Sequence, residues 1–252
     1  MAEASGFLGS GDLYMERTIA SVAQGMLPAG NATKFEIKES SDNKQRVSRG
    51  RADYGQLKDS VYIKKPSTLQ VVLDEVNAEN MAVAFLGTVS AISQSSGTVT
   101  DEAHNGVKQG QLIELAKRNV STVVVTDDAG TPVTFTVDVD YIVNARLGAI
   151  LIVNGGGIDD GTNLKVDYAY ATVTGKKIVG AVQPSIRLRF LLDGKNLTNE
   201  ESAIVTVYDA RVTPTSPVDF LADDFTKLTL DGTLRTPAGY ASPYIVETEL
   251  NI

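Results

Sequence analysis

The chain has 252 residues, no cysteine, a single histidine (His104), and 31 acidic against 23 basic residues, for a net charge of −8. Disulfides, a thiol nucleophile and cysteine-ligated zinc are thereby excluded, and the negative balance argues against gripping nucleic acid by neutralising phosphates. No apolar run approaches the roughly 18 residues of a spanning helix, and Met1 to Ser10 lacks a basic region followed by an apolar one, so neither a membrane span nor a signal peptide is expected.

The length accommodates two modest cores, and short blocks of Val, Ile, Thr and Tyr among 22 Gly and 8 Pro predict many strands joined by turns. The small, polar arm Met1 to Asp12 reads as a segment that is disordered in the free subunit and orders against a neighbour. Leu13 to Ile19 is the first strand. Ala32 to Lys38 is the second, with Phe35 and Ile37 alternating with Lys34, Glu36 and Lys38 so that one face is buried. Glu39 to Lys58 holds only Val47, Tyr54 and Leu57 as large apolar residues and reads as a long polar loop, the kind that is usually functional or disordered. Strands Ser60 to Lys65 and Ser67 to Val76 follow, interrupted at Pro66. One helix comes next, with Asn77 as N-cap, Glu79 near the positive end of its dipole, an apolar run Met81 to Leu86, and Gly87 as its stop.

From Thr98 to Thr174 the texture is that of a small all-β insertion. Ser121 to Thr126 and Val133 to Val139 are predicted to form a hairpin across Asp127-Asp128-Ala129-Gly130. Ala149 to Val153 and Leu164 to Tyr170 are predicted strands joined by Gly155 to Gly161, read as a plain hairpin turn. Leu164, Val166, Tyr168 and Tyr170 share the buried face. Longer strands return at Ser185 to Leu192, Ala203 to Val212 and Phe225 to Arg235. Charge is uneven: Thr98 to Thr174 carries ten acidic and five basic residues, whereas Asp42 to Lys58 carries two acidic and five basic. A basic loop on an acidic body suits head-to-tail stacking of copies.

Chemistry-bearing patterns are sparse. Asp138 and Asp140 fall on one face of a predicted strand, a spacing that could hold a metal or an acid–base pair, although a solvated face is the simpler reading. Gly155-Gly156-Gly157-Ile158-Asp159-Asp160-Gly161 occurs once, without the Lys and Ser or Thr of a phosphate loop. His104 lies in the polar segment Asp101 to Lys108 and reads as an exposed linker residue. Tyr168 and Tyr170 could form a sugar-binding platform, but core packing accounts for them more simply. No Gly-x-Ser-x-Gly elbow is present, and no catalytic residue, metal or cofactor is expected.

The order of segments adds something that composition does not. Gly30-Asn31-Ala32-Thr33-Lys34-Phe35-Glu36-Ile37, the polar loop, Ser67-Thr68-Leu69-Gln70-Val71-Val72-Leu73-Asp74-Glu75 and Asn80-Met81-Ala82-Val83-Ala84-Phe85-Leu86-Gly87 resemble the siphophage (long-tailed bacteriophage) major tail tube proteins. Gly180-Ala181-Val182-Gln183-Pro184-Ser185-Ile186-Arg187-Leu188-Arg189-Phe190 and Phe225-Thr226-Lys227-Leu228-Thr229-Leu230-Asp231-Gly232-Thr233-Leu234 are similar to that family's final strands. The resemblance implies a mainly β, tail-tube β-barrel or sandwich fold with one packed α-helix. The tube domain would span 1–97 and 175–252, and the all-β insertion 98–174 would lie on the outer surface.

It further implies a structural virion protein of the tail, made in the bacterial host cytoplasm. Its partners would be itself, in stacked hexameric rings, the tape measure protein and DNA in the lumen, and the tail terminator and baseplate proteins, with no membrane. Arg46, Arg49, Arg51 and Lys58 become candidate inter-ring contacts. Asp74 and Glu75 become candidate acidic residues of the lumen. Three other readings stay open: a single-ring terminator or baseplate protein on the same fold, a carbohydrate-binding β-sandwich adhesin, and a hydrolase using Asp138 and Asp140.

Overall fold

Alternation of apolar and polar residues dominates this chain, and in the computed structural model, which describes Gly6 and residues 8–250, nearly every such stretch is a strand. In chain order these are β1 (Gly9–Ile19), β2 (Val22–Pro28), β3 (Ala32–Lys38), β4 (Ser41–Val47), β5 (Leu57–Lys64) and β6 (Thr68–Leu73), then the helix α1 (Ala78–Ala84). There follow β7 (Thr88–Gln94), β8 (Gly97–His104), β9 (Leu112–Glu114), β10 (Val120–Asp127), β11 (Tyr141–Asn144), β12 (Ala149–Ile152) and β13 (Leu164–Tyr170). The last are β14 (Val173–Val179), β15 (Ile186–Asn196), β16 (Ser202–Pro214), β17 (Leu228–Leu234) and β18 (Tyr244–Leu250).

The chain divides into two compact units, one built from its two ends up to Val89 and from Ile178 onward, the other from Ser90–Lys177. The first is an eight-stranded antiparallel sheet in the order β2-β1-β15-β16-β17-β6-β3, with β18 beside the first half of β16. Leu13 and Met15 of β1, Ile186, Leu188 and Phe190 of β15, Leu69, Val71 and Leu73 of β6, and Leu228 and Leu230 of β17 turn one face inward and join Val83 of α1 in a single core. Phe35 of β3 meets Phe190 of β15 edge to face at 6.0 Å. Three strands separate them in the hydrogen-bonded order, so the sheet curls until its far end faces its middle. It stays open: among the described residues no sheet closes into a barrel, which corrects the barrel half of the expected fold for the single subunit.

α1 is set by its sequence as expected. Asn77 caps it by accepting from the Asn80 backbone N–H, and the chain turns out of it through Leu86 at φ 48 before Gly87. Asn80, fully buried, donates its side-chain amide to the carbonyls of Ala29 (2.8 Å) and Glu75 (3.0 Å), pinning the helix to the turn before β3. Asn80→Ala leaves the buried Ala29 carbonyl unpaired and is expected to lower stability by about 2 kcal/mol, measurable by urea denaturation.

The second unit holds two three-stranded sheets, β10-β13-β8 and β11-β12-β9, whose apolar residues meet in one core around Ile150, Ile152, Ile158, Leu164 and Val166. Ladder β7–β14 joins this unit to the chain on either side.

Several expectations need correction. Glu39 to Lys58 is not one loop: β4 and the start of β5 lie within it and pair as a hairpin around the turn at residues 48–56, and β4, almost wholly polar, leaves no hydrophobic alternation to read. Val133 to Val139 is no strand. Asp138 adopts φ 64, and the Asp140 carboxylate accepts from the Thr136 N–H at 2.7 Å, turning the chain back and leaving only isolated bridges. The Gly155 to Gly161 stretch is not a hairpin turn either, since β12 and β13 belong to different sheets and the segment passes between layers with Ile158 plugged into the core. Phe225 precedes β17 and is 90% exposed. Of the expected N-terminal arm, Gly9 to Asp12 belong to β1, and residues 1–5 and 7 lie outside the described residues.

Candidate functional site

The β4–β5 hairpin is held by its own ladder, Ser41↔Lys64 to Val47↔Leu57, and among the described residues it pairs with no further strand. Every residue of β5 is exposed. Tyr54, Val61 and Tyr62 are 73%, 60% and 69% exposed, with Leu57 and Ile63 also uncovered. A lone two-stranded ribbon is marginal in water, and its free edges invite another chain. A contiguous exposed apolar patch is the usual mark of an interaction surface.

The turn of the hairpin is nevertheless well built. Ser48 is buried; its hydroxyl donates to Asp53 at 2.7 Å and accepts from the Gly50 N–H at 3.2 Å. Lys58 pairs with Asp53 at 2.7 Å, and this ammonium, with the Ser48 hydroxyl, holds the Asp53 carboxyl below its ordinary value. Arg46 pairs with Asp59 across the ladder at 2.5 Å. Arg49 and Arg51, in the turn, make no hydrogen bond or ion pair among the described residues. The structure thus brings Arg46, Arg49, Arg51 and Lys58 onto one hairpin. Over residues 41–65 seven basic residues outnumber three acidic ones.

Asp74 and Glu75 are placed elsewhere. Lys38↔Thr68 closes one end of the β3–β6 ladder and Ala32↔Leu73 the other. The hairpin springs from the Lys38–Thr68 end, while Asp74 and Glu75 follow Leu73 at the opposite end. Both carboxylates latch the turn before β3: Asn31 donates its side-chain amide to Asp74 at 2.7 Å and its backbone N–H to Glu75 at 3.1 Å. The sheet face turned away from the core is of mixed sign. There Lys34 pairs with Glu36 at 2.6 Å and Gln70 donates to Asp231 at 2.7 Å.

The remaining singled-out residues have local partners. Asp138 and Asp140 share no strand face. Asp140 accepts N–H groups from Thr136 and Gly157, which hold its carboxyl below the ordinary value. His104 is the last residue of β8, not an exposed linker, and lies 3.1 Å from Glu102, with only 18% of its side chain accessible. Tyr168 is buried and donates its hydroxyl to Glu102; burial, and then that carboxylate, push the phenol up. Among the described residues no group of three or more His, Cys, Asp and Glu is gathered as metal ligands, and no helix is long and apolar enough to cross a membrane.

Sequence reasoning missed one surface. In the β16–β17 connection, residues 215–227, Phe220, Leu221 and Phe225 are 72%, 91% and 90% exposed. Three apolar residues among Asp219, Asp223 and Asp224 were the available signal, obscured by the strand pattern that begins just after them.

A family model matches residues 6–237, and its description is "Protein of unknown function UCP028589". No curated protein matches the chain.

Proposed function

We propose that this chain, which belongs to the family UCP028589, is a structural subunit that assembles with copies of itself, and that its assembly is the tail tube of a long-tailed bacteriophage. The observation that carries this reading is the solitary, basic, partly apolar β4–β5 hairpin projecting from one end of an otherwise well-packed sheet. A monomer gains nothing from such a ribbon; a stacked assembly uses it as the contact between layers. The segment resemblance to siphophage tail tube proteins supports the same conclusion and supplies the geometry: six subunits form a ring, the open sheets close collectively into a barrel, and rings stack into a conduit.

In that assembly Arg46, Arg49, Arg51 and Lys58 contact the next ring. The net charge of −8 keeps DNA from adhering to the wall as it moves, with Asp74 and Glu75 adding negative potential where they approach the lumen. The tape measure protein and DNA occupy the lumen, terminator and baseplate proteins close the ends, and the Ser90–Lys177 unit decorates the outside. No bond is made or broken.

Negative-stain electron microscopy of concentrated protein, together with phage particles carrying it, tests the reading. Hollow stacked rings of uniform diameter are expected for the unaltered chain. Arg46→Glu, Arg49→Glu and Arg51→Glu combined are expected to abolish stacking while leaving the circular-dichroism spectrum intact. Persistent monomers, with the chain missing from the tail shaft, would sink the proposal.

A further inference from the structure

We infer that the β16–β17 loop, residues 215–227, is the surface on which the β4–β5 hairpin of a second copy docks, joining copies head to tail. This names the partner surface for the self-association proposed above and rests on that reading.

The two surfaces match in kind and oppose in charge. The loop exposes Phe220, Leu221 and Phe225, and the hairpin exposes Tyr54, Val61, Tyr62 and Ile63. The loop carries Asp219, Asp223 and Asp224 against Lys227 alone, facing the basic excess of the hairpin. Complementary charge steers such contacts and sets their register, while buried aromatic side chains supply most of their affinity.

The loop is preformed. Ser216 closes its base, donating to the Lys227 carbonyl at 3.0 Å and accepting from the Thr229 N–H at 2.8 Å. Asp219 accepts from the Leu221 N–H at 2.8 Å and Asp224 from the Phe225 N–H at 2.7 Å, fixing the apolar side chains outward. Phe220 stacks on Phe85 at 5.9 Å. Part of the loop's backbone and Phe220 are therefore ordered before docking, which lowers the entropic cost.

Register decides between one chain and two. Leu228, the residue at which β17 begins, lies opposite Leu73, whereas Thr233 lies opposite Thr68. The loop therefore leaves the sheet at the Leu73 end, beside Asp74 and Glu75, and the hairpin leaves it at the Thr68 end. One chain holds the two surfaces at opposite ends of the same strands and cannot bury one against the other. A copy displaced along the strand direction can, and the contact is heterologous, so it repeats without limit.

The absence of cysteine gives a clean test. Tyr62→Cys and Leu221→Cys chains are mixed in equal amounts, mildly oxidised, and the joined peptides identified by mass spectrometry. The mixed dimer is expected in roughly tenfold excess over either homodimer. Adding Arg46→Glu, Arg49→Glu and Arg51→Glu to the first chain should remove it. Adding Asp219→Lys, Asp223→Lys and Asp224→Lys to the second as well should restore it. No crosslink at the highest soluble concentration, or homodimers in equal yield, overturns the inference. Stacked rings without this crosslink would sink the contact and leave the tube standing. The crosslink in chains that never close into rings would keep the contact and sink the tube.

Discussion

Replacing Arg187 and Arg235 together by alanine is expected to lower stability by about 3 to 5 kcal/mol at neutral pH, because it strands a buried carboxylate without its counter-charges. Asp209 lies on β16 with 1% of its side chain accessible. Arg187 reaches it from β15 through two nitrogens, at 2.6 and 3.0 Å, and Arg235 through one at 2.6 Å just past β17. The clamp ties three adjacent strands at the centre of the sheet. Native-state hydrogen exchange of the β15, β16 and β17 amides is the suitable measurement, because it isolates this region from the inserted unit.

The pH dependence of the same pair of proteins carries a sign that can be tested. Burial pushes the Asp209 carboxyl up, and the two guanidinium groups more than offset it, leaving it below its ordinary value. A depressed carboxyl contributes stability above its unfolded value of about 3.9 and loses it as pH falls through the folded value. Without the arginines burial acts alone and the contribution reverses, so that protonation favours the folded state. The gap between the unaltered chain and the double variant is therefore expected to narrow as pH falls through the acid range. A gap that stays constant there would show that Asp209 is not the group in control.

Phe190→Ala is expected to cost a comparable 3 to 5 kcal/mol, and Phe190→Leu less than half of that. Phe190 is fully buried at the centre of β15 and touches Phe35 where the far end of the sheet curls back. The cavity would lie under the curl, so the loss is expected to appear in β3 and β6 as well as in β15. Urea denaturation followed by circular dichroism gives the magnitude, and exchange of the β3 amides shows whether the curl loosens.

Those two sites differ in how far the sequence reveals them. Phe190 falls on the alternating face of Ile186, Leu188 and Phe190, and period-two burial made it legible, as it did β3 and β13. Asp209 gives no such signal, since its two arginine partners stand 22 and 26 positions away and meet it only through strand pairing. The candidate hairpin was legible in composition and only in part in conformation. Its basic residues stood out and Ser60 to Lys65 was read as a strand, overlapping β5, while β4, almost wholly polar, lacks the alternation that burial imposes. The opposite error occurred at Val133 to Val139, where alternating residues suggested a strand that a carboxylate hydrogen bond turns into a bend. Hydrophobic periodicity reports burial rather than backbone conformation, and the two diverge where side-chain hydrogen bonds or an exposed ladder set the backbone.

The pairing of β1 with β15 has a consequence in time. β1 can pair at once with β2, but its other edge is covered by the ladder Gly9↔Asn196 to Thr18↔Arg187 and stays open until residue 196 has been made. The inserted unit, contiguous in sequence, can fold as soon as Lys177 is free. The first unit must close contacts between the two ends of the chain, the slow kind of folding step. Its β16–β17 loop emerges after the inserted unit and after β15 and β16. The surface that this loop carries is thus complete only after residue 227 has been made, later than either strand of the hairpin and later than the whole inserted unit.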